Sequence, residues 1–269
     1  MTQVTASLEQ ILDEISSLPE DWHLAGTVDP SVLRAIAKHI GSTKVAHSVE
    51  TGSGKTTLLF SHLSQNHKVF ALDAGNKSIS SVNAHSLFNA EVVEFIEGPS
   101  QKTLPQYSFN HKIQVALIDG PHGYPFPDLE YYYLYPHLDE GALLIVDDIH
   151  IATIRNLFNF LKEDAMFELV EVVQQTAFFR RTAAELFSPV GDGWWLQSYN
   201  KSRFPLSLQQ PDPEKLKERL RKTKDKLNQT QSELERLQSR IAAMETSKFW
   251  KLRSSWFKLK RSLGLTNEE

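Results

Sequence analysis

Three carboxylates stand at the ends of two apolar runs. Asp119 closes Gln114–Ile118 (QVALI), and Asp147 with Asp148 closes Ala142–Val146 (ALLIV). Short apolar runs of this kind read as buried strands. Adjacent parallel strands lie about 5 Å apart, so carboxylates at their ends can converge on one cation. Hard oxygen donors at a site open to water suit Mg²⁺, Mn²⁺ or Ca²⁺ rather than zinc. Such an ion favours the alkoxide or phenolate form of a hydroxyl and holds it for attack. His122 follows Asp119 by three residues, and an imidazole has nearly the right unperturbed pKa to take the hydroxyl proton. His150, directly after the acidic pair, is a second candidate for that proton or for the support of a metal ligand.

A second chemical signal lies upstream, in KVAHSVETGSGKTTLLFSHL (Lys44–Leu63). An apolar strand pattern runs into Glu50, Gly52 and Gly54, and a helical pattern follows from Leu58, an order that lets backbone approach a nucleotide closely. Gly54-Lys55-Thr56 copies the end of a phosphate loop. However, Val49 stands where the first glycine of that pattern belongs, and Glu50 would set a carboxylate at the rim of an anion nest. The dinucleotide pattern GxGxxG fails at Thr57. The remaining pattern, E-x-G-x-G at a strand end, suits a cationic ligand that carries an adenosine. Glu50 would face an ammonium and a sulfonium, and Gly52 and Gly54 would admit the ribose and amino-acid portion. This resembles motif I of the class I S-adenosylmethionine (SAM) methyltransferases.

The elements that must position these groups alternate along the chain. Strand patterns at 45–49, 68–72, 91–96, 114–118 and 142–146 are separated by helical ones at 78–88, 127–137 and 151–163. Two further strands, 167–173 and 176–180, are close enough to form a hairpin. The expected fold is α/β: a Rossmann-like, mostly parallel seven-stranded sheet with an antiparallel C-terminal strand. Polar residues recur just past the strand ends at Glu50, Asp73, Ser100, Asp119 and Asp147, the edge at which open α/β sheets bind ligands. Two helices precede the sheet, the second opened by Asp29 and Pro30, and are expected to cover one end of the site.

Asp73 lies roughly twenty residues beyond Gly54, the spacing of an acid that binds ribose hydroxyls. The loop EGPSQKTLPQ (Glu97–Gln106) resembles the adenine-holding loop of catechol O-methyltransferase-like enzymes. By that resemblance Ser100 and Gln101 contact the adenine, and Gly98 sets the turn. The stretch from Val115 to Ile151 is similar to the metal-dependent O-methyltransferases, which implies Asp119, Asp147 and Asp148 as ligands of a divalent metal, Mg²⁺ first. Catechol-type enzymes carry a basic lysine where this chain has His122. Sugar-modifying relatives carry an aspartate where it has Pro121, so His122 is the expected base. Tyr124, Phe126 and Tyr131–Tyr133 either line an acceptor pocket or belong to the core. The resemblance spans about residues 45–181.

Composition bounds the remainder. The 269 residues contain no cysteine, which excludes disulfides, thiolate metal sites and a cysteine nucleophile. No apolar run approaches a membrane span and the start lacks a leader pattern, so a cytoplasmic protein is expected. From Glu214 onward 15 Lys+Arg face 8 Asp+Glu, a charge of +7, which leaves 14 against 25 in the body, or −11. A body that acidic is a poor nucleic-acid binder. The tail repeats apolar residues every seven at Leu220, Leu227, Leu234 and Ile241, interleaved with Leu216, Thr223, Thr230, Leu237 and Met244. That is a heptad seam and implies a homodimeric coiled coil, with folding back onto the body as the alternative. Residues 247–265 form a basic amphipathic segment expected to touch a membrane surface or a partner. It resembles tails of bacterial proteins of cell-surface glycan synthesis, including glycosyltransferases, which points to a saccharide among the small-molecule acceptors.

The expected organisation is therefore N-terminal helices (1–43), a SAM-binding domain (44–187), a flap or linker (188–213), a coiled coil (214–246) and a basic tail (247–269). The expected activity is metal-assisted O-methylation. The competing readings are a non-catalytic scaffold acting through the tail and a phosphate-loop ATP-binding protein.

Overall fold

The computed structural model describes residues 7–24, 26–188, 190, 193–203, 213–246 and 248–263. Its apolar β-branched runs become strands, and the runs between them become helices. The order is α1 (Leu8–Ser16), α2 (Pro30–Ile40), β1 (Val45–Thr51), α3 (Lys55–Leu63), β2 (Ser64–Ala71), α4 (Ser78–Asn83), β3 (Val93–Glu97), α5 (Ser100–Thr103), β4 (Ile113–Ile118), α6 (Phe126–Leu134), β5 (Leu138–Val146), α7 (Ala152–Glu163), β6 (Phe167–Val173), β7 (Thr176–Arg181) and α8 (Ser198–Arg203). The strands form one sheet in the order β3-β2-β1-β4-β5-β7-β6. Every pairing is parallel except those of β7, which runs antiparallel to both β5 and β6. The single antiparallel strand is the C-terminal one, as its hairpin spacing implies.

Alternation along the strands divides the core. Val49, Ala116, Leu144 and Val146 pack with Leu134, Leu157 and Phe158 beneath α6 and α7. Val115, Leu117, Leu143 and Ile145 pack with Ile15, Ile36 and Leu59 beneath α1, α2 and α3. These strands are buried on both faces, which is why they read as nearly continuous apolar runs. At their carboxyl ends the register is flush: Thr51 pairs with Phe70 and with Ile118, and Ile118 pairs with Val146. Gly52, Asp119 and Asp147, each one residue further on, therefore emerge side by side. The order in which strands are added reverses between β1 and β4, and that is where a ligand crevice opens.

Some boundaries differ from expectation. The helix expected over 78–88 stops at Asn83, because a turn takes over: Leu87 N–H donates to His85 Nδ1 (3.2 Å) and Phe88 N–H to the His85 carbonyl (3.0 Å). Strand β2 begins at Ser64, directly after α3, and β5 begins at Leu138. The linker expected over 188–213 falls partly on positions 189, 191–192 and 204–212, outside the described residues. Its described part holds a helical turn, Trp194–Leu196, and α8.

The chain divides into two units at Arg203/Phe204. The second holds α9 (Pro213–Thr246) and α10 (Lys248–Ser262). Position 247 and positions 264–269, the ends of the expected basic segment, lie outside the described residues. Along α9 the residues Leu216, Leu220, Leu227, Leu234, Leu237 and Ile241 are all exposed. The two threonines that interrupt the seam turn their hydroxyls to the helix itself, Thr223 to the Arg219 carbonyl (3.0 Å) and Thr230 to the Lys226 carbonyl (2.9 Å). Among the described residues no helix is long and apolar enough to cross a membrane.

Candidate active site

A cavity of about 370 Å³ lies over the ends of β1, β2, β4 and β5. Gly52 and Ser53 line it from the glycine turn, Gly98, Ser100 and Gln101 from the loop after β3, and Asp119, His122, Asp147 and Asp148 from the opposite side. The structure thus gathers most of the expected residues around one space.

The acidic side is compact. His122 Nε2 lies 3.2 Å from Asp148 Oδ2 and 3.9 Å from Asp119 Oδ1. One ligand atom from each of these three residues falls within 4.8 Å of the others, a spacing able to hold a metal ion. Asp148 reaches this arrangement with φ at 55°, a left-handed conformation that is uncommon outside glycine and tolerated best by Asp and Asn. Asp147 also lines the cavity, but its Oδ1 accepts a hydrogen bond from the buried Thr176 hydroxyl. His150 stands behind the pair, its Nδ1 3.6 Å from Asp148 Oδ1. Burial pushes Asp119 up to about 8; contact with His122 opposes this, and the Asp147 and Asp148 charges add to it. In return Asp119, and then the Asp148 charge, raise His122, against desolvation. Like charges this close share protons or a cation.

The glycine side is held from below. Gly52 has φ at 87°, and a Cβ there would stand 2.4 Å from the Asp119 carbonyl oxygen. Glu50 does not line the cavity. It is fully buried, accepts a hydrogen bond from the Thr57 hydroxyl, and lies 3.2 Å from His67 Nε2. Thr57 Oγ1 in turn accepts from Gly54 N–H (3.0 Å), so Glu50 braces the turn from beneath. Lys55 donates to the Leu18 carbonyl (2.7 Å) and also stays out of the cavity, so it faces the N-terminal helices rather than a phosphate.

Gly54 sits under the His23 ring, 2.7 Å from where its Cβ would be, and Gly26 to Val28 of the same N-terminal segment line the cavity. Asp73 is turned aside: its carboxylate accepts from the Ser80 N–H (2.9 Å) and hydroxyl, which hold its pKa down, while Leu72 and Asn76 flank the cavity. Gly98 has φ at 146°, with Thr103 packed where a side chain would go. Gln101 offers a buried Oε1 with no hydrogen-bond partner. Of the aromatics, Tyr131 is buried in the core and Tyr124 is exposed.

The residue that sequence reasoning overlooked is Glu130 on α6. It is 1% exposed, and its carboxylate accepts from Ser100 Oγ (2.5 Å), Thr51 Oγ1 (2.9 Å) and the Gly120 backbone. Burial still pushes it up to about 7 from an ordinary 4.5. Between those values the folded chain keeps a proton that the unfolded chain has released, so stability falls as pH rises through the window and the penalty is constant above it. The urea midpoint of Glu130→Gln should therefore gain on wild type between pH 4.5 and about 7 and then run parallel. A midpoint difference that ignores pH would contradict this. Asp119 titrates alike in both proteins and cancels.

The match to known sequences falls on this stretch: residues 49–149 fit the model of a family described as a methyltransferase domain. No curated protein sequence matches the chain. Among solved structures, a Klebsiella pneumoniae protein assigned as an O-methyltransferase superposes with a TM-score of 0.51 at 14% identity, over 67% of this chain and 93% of that one. The O-methyltransferase TomG of Streptomyces achromogenes, solved with SAM, gives 0.50 at 13% identity, over 68% and 93%. At such identities the likeness establishes the fold. The stretch that fits the family model thus brings its glycine turn, its serine-glutamine loop and its acidic cluster around one cavity.

Proposed function

We propose that this domain transfers the methyl group of SAM to a hydroxyl of a small acceptor, a sugar or another hydroxylated metabolite, with a divalent cation at the acidic cluster. The observation that carries the reading is the cavity itself: glycine-lined on one side, and bounded on the other by Asp119, His122 and Asp148 at ligand spacing. The residues present fit both groups. Gly52, Ser53 and Gly98 line the cavity without bulky side chains, and the unpartnered Gln101 Oε1 can accept from an exocyclic amine such as that of adenine. The two carboxylates, with Asp147 beside them, suit a hard cation and leave the imidazole free to act as a base.

SAM supplies an electrophilic methyl group, and the cation, when bound, favours the ionised form of a hydroxyl. Gly52, Ser53 and Gly98 admit the donor to the strand ends, and Ser100 and Gln101 hold its base. Glu50 acts on the glycine turn through Thr57, and Asp73 through the loop that presents Asn76. Asp119 and Asp148 hold the cation, with Asp147 set beside them by Thr176. His122 Nε2 takes the acceptor's hydroxyl proton, and its acidic neighbours make it a better base. His150 orients Asp148.

Calorimetry with S-adenosylhomocysteine, with and without Mg²⁺, tests the reading, followed by an acceptor screen weighted to glycosides. Micromolar binding of the product and Mg²⁺-dependent turnover are expected, whereas tight ATP binding without affinity for S-adenosylhomocysteine would revive the phosphate-loop reading.

The second unit supports self-association. Its exposed seam repeats every seven residues, and α10 carries six Lys and Arg and no acid, which suits an anionic membrane surface or an acidic partner such as a glycosyltransferase. Sedimentation should show a dimer that Leu227→Asp with Leu234→Asp converts to monomer; a monomeric wild type would remove this part of the proposal.

A further inference from the structure

Glu130 touches three segments that each line the cavity, and the chemistry attributed to the site uses none of its atoms. Ser100 belongs to the loop that holds the donor's base. Thr51 ends β1, and its Oγ1 also accepts the N–H of Asp119 (3.0 Å), so it ties the glycine strand to the acidic one. Gly120 follows Asp119, and a Cβ there would lie 1.9 Å from Glu130 Oε1. Gly120 is therefore glycine for want of space, since the carboxylate occupies the place a side chain would take. An acid this buried is costly to fold around. An apolar residue would fill α6's inner face at lower cost but could not accept three hydrogen bonds.

Resting on the reading of the cavity as a SAM site, we infer that Glu130 is a positioning residue. Its carboxylate clamps the donor loop at Ser100 to the β1 end and to the Asp119–Gly120 turn, so that the donor and acidic sides are held in one geometry. The clamp predicts a particular order among substitutions. In Glu130→Gln the amide oxygen can keep Ser100 and Gly120 while the amide nitrogen donates to Thr51 Oγ1, whose hydroxyl turns to the Leu117 carbonyl, now 3.5 Å away. Glutamine should thus rescue what leucine destroys.

The test is calorimetric titration of S-adenosylhomocysteine into the full chain, with the melting temperature of each unliganded variant measured alongside. Glu130→Gln should bind within roughly threefold of wild type, and Glu130→Leu roughly tenfold or more weakly, because buried donors are left unsatisfied. Ser100→Ala should weaken binding, and adding it to Glu130→Leu should cost clearly less than it does alone, since both break one link. If Glu130→Leu does not fold, Ser100→Ala and Thr51→Val, each alone and combined with Glu130→Gln, carry the same comparison.

Wild-type affinity in Glu130→Leu, with only its melting temperature lowered, would reduce the residue to a structural role and overturn the clamp. Full additivity of the Ser100 and Glu130 changes would overturn it too. A wild-type chain that does not bind S-adenosylhomocysteine would instead sink the donor assignment, and the clamp with it.

Discussion

Asp119→Asn should abolish tight Mn²⁺ binding and reduce methyl transfer by roughly a thousandfold, while the protein melts no lower than wild type. The substitution keeps shape and removes charge. Asp119 stands in the same compact group as His122 and Asp148, and its carboxyl is pushed up to about 8 by burial and by its acidic neighbours. A group held so far above its ordinary range destabilises the fold once ionised, so the neutral amide relieves the fold even as it disables the site. Loss of function with unchanged or improved stability is the signature of a carboxylate retained for chemistry. Paramagnetic resonance reads Mn²⁺ binding without any acceptor, and turnover is then compared on whichever acceptor wild type uses. Mn²⁺ affinity within a few-fold of wild type would remove Asp119 from the metal site. Retained turnover would remove the cation from the reaction.

The architecture was legible because its signals are local. Buried parallel strands show as apolar runs, and the last hairpin betrays itself by a two-residue gap between Val173 and Thr176. The acids at 119, 147 and 148 were legible for a topological reason, since strands paired in flush register must deliver the residues just after them to one edge.

What the sequence concealed depends on which way a side chain turns. Glu50 and Thr51 are adjacent on β1 and so point to opposite faces of the sheet; the face of β1 decides that Thr51 meets Glu130 and Asp119 while Glu50 goes to Thr57 and His67. Asp73 sits at the expected distance from the glycines, yet Ser80, seven residues on, engages its carboxylate. Glu130 was invisible because PDLEYYYL reads as an ordinary amphipathic helix, in which a glutamate looks solvated. Only the packing of α6 against the loops after β3 and β4 makes it a buried hub. The one hint was Gly120, a glycine without a positive φ, which signals lack of space rather than a turn.

Gly52→Ala should cost at least a hundredfold in affinity for S-adenosylhomocysteine, far more than substitution of a glycine with open space around it. Two penalties coincide there. At φ 87° an alanine sits in left-handed backbone, at a cost of about 1–2 kcal/mol. Its Cβ would also stand 2.4 Å from the Asp119 carbonyl oxygen, and neither partner can give way freely. The Gly52 N–H is bonded to the Phe70 carbonyl (3.0 Å), and the Asp119 N–H is bonded to Thr51. Relief therefore has to part the β1 end from the β4 end, which separates the glycine turn from the acids across the cavity. Gly141→Ala is the internal control. Its φ is 76°, nearly the same, but nothing lies within 4 Å of its added Cβ. It should lose stability of the same order from backbone strain while binding S-adenosylhomocysteine as wild type does. Equal binding losses in the two variants would mean that the close approach of Gly52 to Asp119 is not what shapes the donor site.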